Sequence, residues 1–433
     1  MATGISKTKW IGATNEETSL SDDSLDISLF YTGKSSEREI IATKPAKLKL
    51  FWQNPVDHSN SLYYGDNLPI LASLLYDSSI KGKVRHIYID PPFATKSVFQ
   101  SRSQDDAYQD LLAGAHYIEF LRKRLVLLRE LLADDGSIYI HLDMNMAFHI
   151  KVVMDEIFGQ KNFRNWITRK KCNPKNYTRK TYGNISDYIL FYTKSDDYVW
   201  NRPHKEWTPE LVAKEYQYVE EKTGRRYKKV PIHAPGVRNG ATGQPWRGMN
   251  PPPGKHWQYT PEKLDEMDAR GEIYWSPNGN PRRKVYLDES PGIPIQDIWM
   301  NFRDAHNQNI KITGYPTEKN PDMLSLIIQA SSNPDDIVLD CFCGSGTTLD
   351  TASRLKRRWI GIDNSSTALD TILRRFAKGL EPMGDFVNGK SKASQLPLFD
   401  VSQSSIINKF SLYVSEPYKG ELNELIKQWE DWQ

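Results

Sequence analysis

The chain has 433 residues, 39% of them hydrophobic, a size that suits one large domain with an insertion or two domains. Its net charge of +3 is too small to indicate a nucleic-acid partner, so local basic segments must carry that argument. Three cysteines argue against a disulfide framework, and no Cys and His spacing predicts a metal site. The start of the chain lacks an apolar segment and no run is long enough for a membrane span, which predicts a soluble, cytoplasmic protein.

Strands alternate with helices after a polar first segment. Residues 1–45 are rich in Ser, Thr, Asp and Glu, which predicts a flexible or loosely docked N-terminal extension. The predicted strands that follow are 61–67, 84–89, 136–142 and 187–193, and the predicted helices are 68–76, about 117–129, and 148–158. This alternation is typical of an α/β fold with a parallel sheet.

The texture changes between residues 200 and 296, where Pro, Gly, Trp and basic residues dominate and helical periodicity persists only over 261–269. We interpret this stretch as an inserted module. The α/β pattern then resumes with helices predicted over 321–331, 347–355 and 367–378 and strands over 337–339 and 359–362. Residues 384–433 are predicted to be a polar tail with a terminal helix over 421–432.

A glycine loop lies between the predicted strand 337–339 and the helix after it. Gly344 and Gly346 allow the backbone to pass close to a ligand. The loop lacks the third glycine of a dinucleotide fingerprint, since Leu349 stands there, and it also lacks the lysine of a phosphate-binding loop. Asp363 ends the next strand and suits ribose hydroxyls. A nucleoside ligand without pyrophosphate, such as S-adenosylmethionine, fits this pattern; a glycine-rich turn without a ligand is the alternative.

The segment Asp90-Pro91-Pro92-Phe93 follows the buried strand 84–89. The prolines remove two N–H donors and leave carbonyl acceptors, Asp90 adds a carboxylate, and Phe93 adds a flat apolar face. This set suits a planar ring with an amino group, whose hydrogens would point at the acceptors. Such contacts favour a localised nitrogen lone pair that can attack a methyl group. A structural turn is the alternative.

With these two segments in this order, the chain resembles the amino-group DNA methyltransferases, most closely their beta class, over roughly residues 60–380. The resemblance implies a permuted S-adenosylmethionine-dependent methyltransferase sheet, Rossmann-like, with helices on both faces. It also implies that the strands leading to Asp90 and Asp340 are neighbours. The implied parts are a catalytic half (46–199), a target-recognition module (200–296) and a cofactor-binding half (297–383).

Matching motifs carry the family's cofactor residues onto this chain. The segment 64–68 resembles the family's Gly-Asp-x-Leu segment, and 315–319 resembles its Pro-Thr-x-Lys-Pro segment, with Asn320 where Pro is usual. The residues implied to bind S-adenosylmethionine are Asp66, Asn67, Asp90, Lys319, Asp340, Phe342, Gly344, Gly346, Thr347 and Asp363.

The resemblance implies methylation of a flipped-out base in duplex DNA, within or derived from a restriction-modification system. Asp90 as the first residue of its tetrapeptide is typical of N6-adenine enzymes, whereas N4-cytosine enzymes usually carry Ser there. N4-cytosine methylation is the near alternative; an RNA or protein methyltransferase and an inactive DNA-binding subunit are more remote. A homodimer and a cognate restriction endonuclease are further candidate partners.

Basic residues predict the DNA contacts. Residues 164–180 contain seven cations and no acidic residue, and the inserted module carries more. The predicted DNA-binding residues are Arg164, Arg169, Lys170, Lys171, Lys175, Arg179, Arg225, Arg226 and Arg247. Solvated basic loops and a purely structural insertion are the alternatives.

Overall fold

The computed structural model describes residues 27–57, 59–92, 114–174, 180–302, 311–312, 318–378, 381–382, 409–417 and 422–432. Residues 202–296 form one compact unit, and the described residues on either side of them in sequence form another. Three predicted site residues, Phe93, Lys175 and Arg179, lie outside the described residues.

The described residues contain the strands β1 (Lys47–Gln53), β2 (Asn60–Tyr64), β3 (Val84–Ile89), β4 (Leu132–Leu142), β5 (Phe163–Lys170), β6 (Ser186–Thr193), β7 (His204–Lys205), β8 (Tyr218–Val219), β9 (Arg226–Pro231), β10 (His233–Pro235), β11 (Lys255–Trp257), β12 (Ile273–Trp275), β13 (Pro281–Tyr286), β14 (Ile293–Pro294), β15 (Ile298–Trp299), β16 (Lys311–Ile312), β17 (Ile337–Asp340), β18 (Arg358–Asp363), β19 (Glu381–Pro382) and β20 (Phe410–Glu416). Their helices are α1 (Glu37–Ile41), α2 (Asn67–Leu74), α3 (Ala115–Leu131), α4 (Ala147–Phe158), α5 (Pro209–Glu215), α6 (Pro261–Ala269), α7 (Pro321–Ala330), α8 (Thr347–Arg354), α9 (Ser366–Lys378) and α10 (Leu422–Trp432). Among these helices, none has the length and apolar character needed to cross a membrane.

The large sheet of the first unit has the strand order β1-β20-β2-β18-β17-β3-β4-β6-β5-β15. From β20 to β4 all neighbours are parallel, while β1 and β6 pair antiparallel with their neighbours. The late strands β17 and β18 lie between the early strands β2 and β3, which confirms the permuted order. From β17 the chain continues to β18 on one side, and from β3 to β4 on the other. The β17–β3 boundary is therefore the switch point at which α/β sheets bind ligands.

Alternating residues of the central strands enter two separate cores. Ile337 and Leu339 of β17 pack in a cluster with residues of α2, α3 and α4. Val338, between them, packs in a second cluster with residues of α8, α9 and α10. Because the sheet is covered on both faces, its central strands are apolar on both, as expected for parallel strands.

In the predicted N-terminal extension, residues 27–45 have the docked form: Lys34 lies 2.7 Å from Glu156, the Tyr31 hydroxyl donates to Glu119 at 2.6 Å, and Ile40 of α1 is buried. The residues that make these contacts lie within a long polar part of the sequence, so composition alone did not reveal them.

The prediction for the C-terminal tail needs correction. It contains β20, which lies inside the sheet between β1 and β2. Phe410 of β20 and Trp429 of α10 pack against one another with ring centres 5.4 Å apart. The terminal helix itself follows the prediction.

The unit of residues 202–296 has its own small core and a four-stranded sheet of order β12-β13-β9-β8. Trp246, Trp257 and Leu264 are buried together in this core. The unit also contains α5, in a region where the sequence showed no helical periodicity. Pro and Trp are frequent here because small sheets and turns, with little helix, enclose an aromatic core.

Candidate active site

Two segments that are distant in sequence meet at one edge of the large sheet. Strands β3 and β17 are parallel neighbours, with Leu339 paired to Ile87, so Asp90 and the loop after Asp340 emerge at the same end. Pro91 is buried and Pro92 is exposed. The structure thus brings together the acceptor segment and the glycine loop at the switch point.

The backbone of the glycine loop requires its glycines. Gly344 and Gly346 have φ values of 49° and 74°, in the left-handed region that L-residues avoid. A Cβ atom at Gly346 would lie 2.9 Å from the Ile372 side chain, so the loop also lies tightly against α9. Thr347, the first residue of α8, is buried and its hydroxyl lies 3.0 Å from that of Ser345.

Asp340 and Asp363 shape this loop from two sides. Asp340 accepts hydrogen bonds from the Phe342 N–H at 3.0 Å and from the Thr348 hydroxyl at 2.6 Å. Burial raises the pKa of Asp340 to about 7 despite these bonds. Asp363 accepts from the Gly344 N–H at 2.9 Å, and burial also raises its pKa. Each carboxylate retains a free lone pair for a ligand.

Arg124 links the segment after β2 to the glycine loop. Its guanidinium donates to both Asp66 and Asn67, and the Asn67 amide donates to the Cys341 carbonyl at 2.6 Å. The Asp66 carboxylate also caps α2 by accepting from the Leu68 N–H at 3.1 Å. Sequence reasoning did not identify Arg124 as a site residue, but Arg124 is buried.

Lys319 is held beside Asp90. Its ammonium nitrogen lies 2.6 Å from Oδ2 of Asp90. The preceding residue, Glu318, forms a buried ion pair with Arg375 of α9. The next residue, Asn320, caps α7 through hydrogen bonds from two backbone N–H groups. The departure from proline at this position therefore has a structural role, since Asn is a good N-cap and Pro is not.

A buried histidine lies behind Asp90, and the sequence did not identify it as a site residue. His141, near the end of β4, has its Nδ1 3.8 Å from Asp90 Oδ1 and its Nε2 2.9 Å from Asp187 Oδ2. The Tyr88 hydroxyl lies 2.8 Å from His141 Nδ1. The sequence signal that could have identified His141 was its position near the end of a predicted buried strand.

Arg169 was wrongly predicted to bind DNA. It is 1% exposed, donates to both carboxylate oxygens of Asp187, and donates to the Phe302 carbonyl at 3.1 Å. The segment 163–170 is strand β5, so alternate side chains point into the protein. The basic run in the sequence concealed this alternation.

The other described members of the basic run are more accessible. Arg164 donates to Asp196 at 2.8 Å, and Asp196 is itself largely exposed. Lys170 and Lys171 are half-buried.

In the second unit, predicted arginines have acidic partners: Arg225 binds Asp288 and Glu289, and Arg247 binds Asp265 and Asp268. Arg226 is exposed and donates to the Tyr216 carbonyl at 3.5 Å.

Comparison with known proteins agrees with this geometry. Residues 84–374 match the model of a DNA methylase family of N6/N4 methyltransferases. A type II methyltransferase of Enterobacter cloacae, M.EcaI, is 47% identical over 451 residues, covering 100% of this chain and 99% of the relative. The Mod subunit of the type III enzyme StyLTI of Salmonella typhimurium is 28% identical, covering 67% of this chain and 49% of the relative.

Among solved structures, M1.HpyAVI in complex with SAM is similar, with 18% identity, a TM-score of 0.38, and coverage of 73% of this chain and 98% of that one. The family match extends over most of the first unit, the whole second unit and both segments of the site. The chain therefore belongs to this DNA methylase family and is an S-adenosylmethionine-dependent DNA methyltransferase.

Proposed function

We propose that the chain methylates the N6 amino group of an adenine in duplex DNA. The observation that carries this proposal is the state of the Asp90 carboxylate. Lys319 holds its Oδ2, while its Oδ1 is buried and has no hydrogen-bond partner within the described residues. A buried acceptor without a donor costs about 1–3 kcal/mol, so an amino hydrogen from a substrate would satisfy it.

The residues around the glycine loop fit S-adenosylmethionine. Acidic side chains follow or end the four central strands: Asp66, Asp90, Asp340 and Asp363. Carboxylates accept hydrogen bonds from ribose hydroxyls and attract a cationic sulfonium and an ammonium, but they repel a pyrophosphate. Gly344 and Gly346 give a ligand access to backbone atoms. When bound, the cofactor supplies an electrophilic methyl group.

The chain's own residues would bind and orient the base. Pro91 and Pro92 have no N–H, so their carbonyls can only accept hydrogen bonds from an amino group. Phe93 follows in the sequence and would provide a stacking face. Because Oδ1 of Asp90 is buried, it cannot reach a base inside a duplex, which requires the base to be flipped out.

The choice of adenine rests on Asp90 as the first residue of the tetrapeptide. Cytosine N4 is the second candidate, because the same acceptors would also bind cytosine's amino group. Both bases carry an exocyclic amine whose lone pair is delocalised into the ring. In both bases, therefore, the lone pair must become localised on the amino nitrogen before that nitrogen can attack the methyl group.

Nucleoside mass spectrometry tests the proposal. The protein is incubated with duplex DNA and S-adenosylmethionine carrying a labelled methyl group, and the DNA is digested to nucleosides. We expect labelled N6-methyladenine. N4-methylcytosine alone would transfer the assignment to cytosine. Label in RNA or protein, with none in duplex DNA, would overturn the substrate class.

We propose that the unit of residues 202–296 serves as the target-recognition module, and that a cationic groove holds it on the DNA backbone. The groove has a volume of about 590 Å³ and contains Lys229, whose ammonium lies 3.6 Å from the ring centre of Tyr218 and 3.4 Å from that of Tyr274. Arg282 also lines it, and in the described part of the chain Lys229 and Arg282 form no ion pair. Glu215 contributes one opposing charge. A DNA phosphate suits these cations.

A role in restriction-modification follows from similarity to a type II methyltransferase along nearly the whole chain. A cognate restriction endonuclease would then recognise the same DNA sequence, and the methyl group would block its cleavage. Long-read sequencing of DNA from cells that express the protein would identify the modified sequence. Size-exclusion chromatography of the protein with and without DNA tests the proposed homodimer.

A further inference from the structure

A chain of buried ionisable groups extends from Asp90 into the protein. His141 is fully buried between two carboxylates, with Nδ1 3.8 Å from Asp90 Oδ1 and Nε2 2.9 Å from Asp187 Oδ2. Arg169, 1% exposed, closes the chain by binding both oxygens of Asp187. All these residues belong to the first unit.

Stability alone does not explain such a chain. Replacing a buried ionic cluster by apolar residues is often neutral or stabilising, because desolvation of the charges offsets their attraction. Burial tends to raise the pKa of Asp187, but His141 and Arg169 outweigh it and hold that pKa well below its usual range. Asp187 is therefore ionised and can stabilise a positive charge on His141.

We propose that His141 receives, through Asp90, the proton that the target amino group loses during methylation. This inference rests on the proposed role of Asp90 at the amino group. His141 is a positioning and proton-accepting residue that does not touch the base. The inference applies to adenine and to cytosine alike, because both amino groups must lose one proton.

Methyl transfer leaves the amino nitrogen with one proton to lose. The amino nitrogen donates its lone pair to the methyl carbon, the carbon–sulfur bonding pair leaves with sulfur, and the nitrogen becomes positively charged. One N–H bond then breaks, its electron pair remains on nitrogen, and the proton moves to Oδ1 of Asp90. From Oδ1 it moves to Nδ1 of His141 after the two atoms approach by about 1 Å. Asp90 is ionised again, and Asp187 faces the new imidazolium.

The neighbours of His141 define its reactive form. With its ring proton on Nε2, facing Asp187, Nδ1 is an acceptor and the Tyr88 hydroxyl donates to it at 2.8 Å. Tyr88 belongs to β3 and Asp90 follows that strand directly, and both side chains face His141. Asp187 faces it from β6. Lys319 and Arg169 reach it through the two carboxylates. Protonation of Nδ1 requires the Tyr88 hydroxyl to rotate so that its oxygen accepts.

The first test compares two buried histidines of the same sheet. His141→Gln removes the proposed acceptor, and His86→Gln is the matched control: His86, on β3, is also fully buried, and burial lowers its pKa to about 3. Single-turnover methylation is measured with saturating cofactor and DNA from about pH 5 to about pH 8, the range in which an ordinary histidine side chain changes its charge.

We expect His141→Gln to slow methyl transfer about a hundredfold, at the low end of general-base contributions. The wild-type rate should fall at acidic pH, because a protonated imidazole cannot accept a further proton, and His141→Gln should lack this fall. His86→Gln should keep the wild-type profile. If the rate of His141→Gln falls at acidic pH as much as the wild-type rate does, the inference is overturned.

A second variant gives a readout independent of turnover. In Asp187→Asn the amide N–H₂ can donate to Nε2, which moves the ring proton to Nδ1. Nitrogen NMR of histidine-labelled protein, assigned by the signal that disappears in His141→Gln, should show this change of tautomer together with slow transfer. Slow transfer with the wild-type tautomer would overturn the proton path and leave a structural role only.

These results separate the inference from the proposed function. Wild-type methylation with an unchanged profile in His141→Gln refutes the proton path alone. Failure of the wild type to methylate any base refutes the proposed function and this inference with it.

Discussion

Three aspartates at the sheet edge have similar sequence contexts but different surroundings. Asp340 and Asp363 each accept a loop N–H, so both hold the glycine loop in shape. Asp90 instead keeps one oxygen without a hydrogen-bond partner among the described residues. Since a buried acceptor favours a donor, Asp90 is the residue suited to a substrate, and the other two are suited to build its neighbouring loop.

Asp90→Ala should reduce methyl transfer at least about a thousandfold, because it removes both the acceptor and the partner of Lys319. Cofactor binding should persist, since the glycine loop does not depend on this side chain. Single-turnover assays and calorimetric titration with S-adenosylmethionine measure the two effects. Asp196→Ala, at a largely exposed position, is the control. Unchanged turnover in Asp90→Ala would exclude the catalytic role.

Asp340→Asn should change how stability depends on pH. The unfolded pKa of Asp is about 3.9 and the folded value is about 7, so the folded protein binds more protons between these values. Asp340 therefore destabilises the fold as pH rises from about 4 to about 7. Urea unfolding across this range should show a smaller loss of stability with rising pH in Asp340→Asn than in the wild type. If the stability of both proteins depended equally on pH, Asp340 would not titrate in this pH range.

The elements whose sequence pattern is local follow the predictions, and those that depend on distant partners do not. The helix 148–158 and the strand 84–89 have clear periodicity and end at Gly159 and Asp90, and the structure contains both. Strands β5 and β20 were missed. Basic side chains hide the alternation of β5, and β20 is a short strand isolated by polar sequence that becomes stable only between β1 and β2.

Gly346→Ala should weaken cofactor binding strongly. The substitution strains a backbone with φ of 74° and brings the new Cβ within 2.9 Å of Ile372, so the loop must shift. Gly271→Ala is the matched control, because its φ of 76° imposes the same strain of about 1 kcal/mol but no atom lies within 4 Å of the new Cβ. Calorimetric titration with S-adenosylmethionine should show loss only in Gly346→Ala. Equal affinities in both variants would contradict a tightly fitted loop.

At the scale of the whole molecule, the permuted strand order joins the two parts of the site. Strands β17 and β18 follow the second unit in sequence, yet they lie between β2 and β3. The second unit, residues 202–296, folds around its own aromatic core. The chain can therefore carry a separate unit between two halves of one sheet.

A double variant tests the proposed DNA contacts of the second unit. Lys229→Gln with Arg282→Gln should reduce the slope of log affinity against log salt by about 0.9 for each lost phosphate contact. The control, Arg225→Gln with Arg247→Gln, removes equal charge at positions already paired with carboxylates. Fluorescence anisotropy with duplex DNA at several salt concentrations measures both. A larger change in the control would place the contacts on the paired arginines.

The sequence by itself determined the class of site, because the Asp-Pro-Pro segment and the glycine loop each contain their chemistry within a few residues. It also indicated the parallel sheet and the inserted unit through periodicity and composition. Only the tertiary structure decided which charges are available: Arg169 is buried against Asp187, and Lys319 is bound to Asp90. The physical reason is that burial and pairing depend on residues from distant strands, which a local pattern does not encode. For the same reason His141 became visible as a partner of Asp90 only when β3, β4 and β6 were placed side by side.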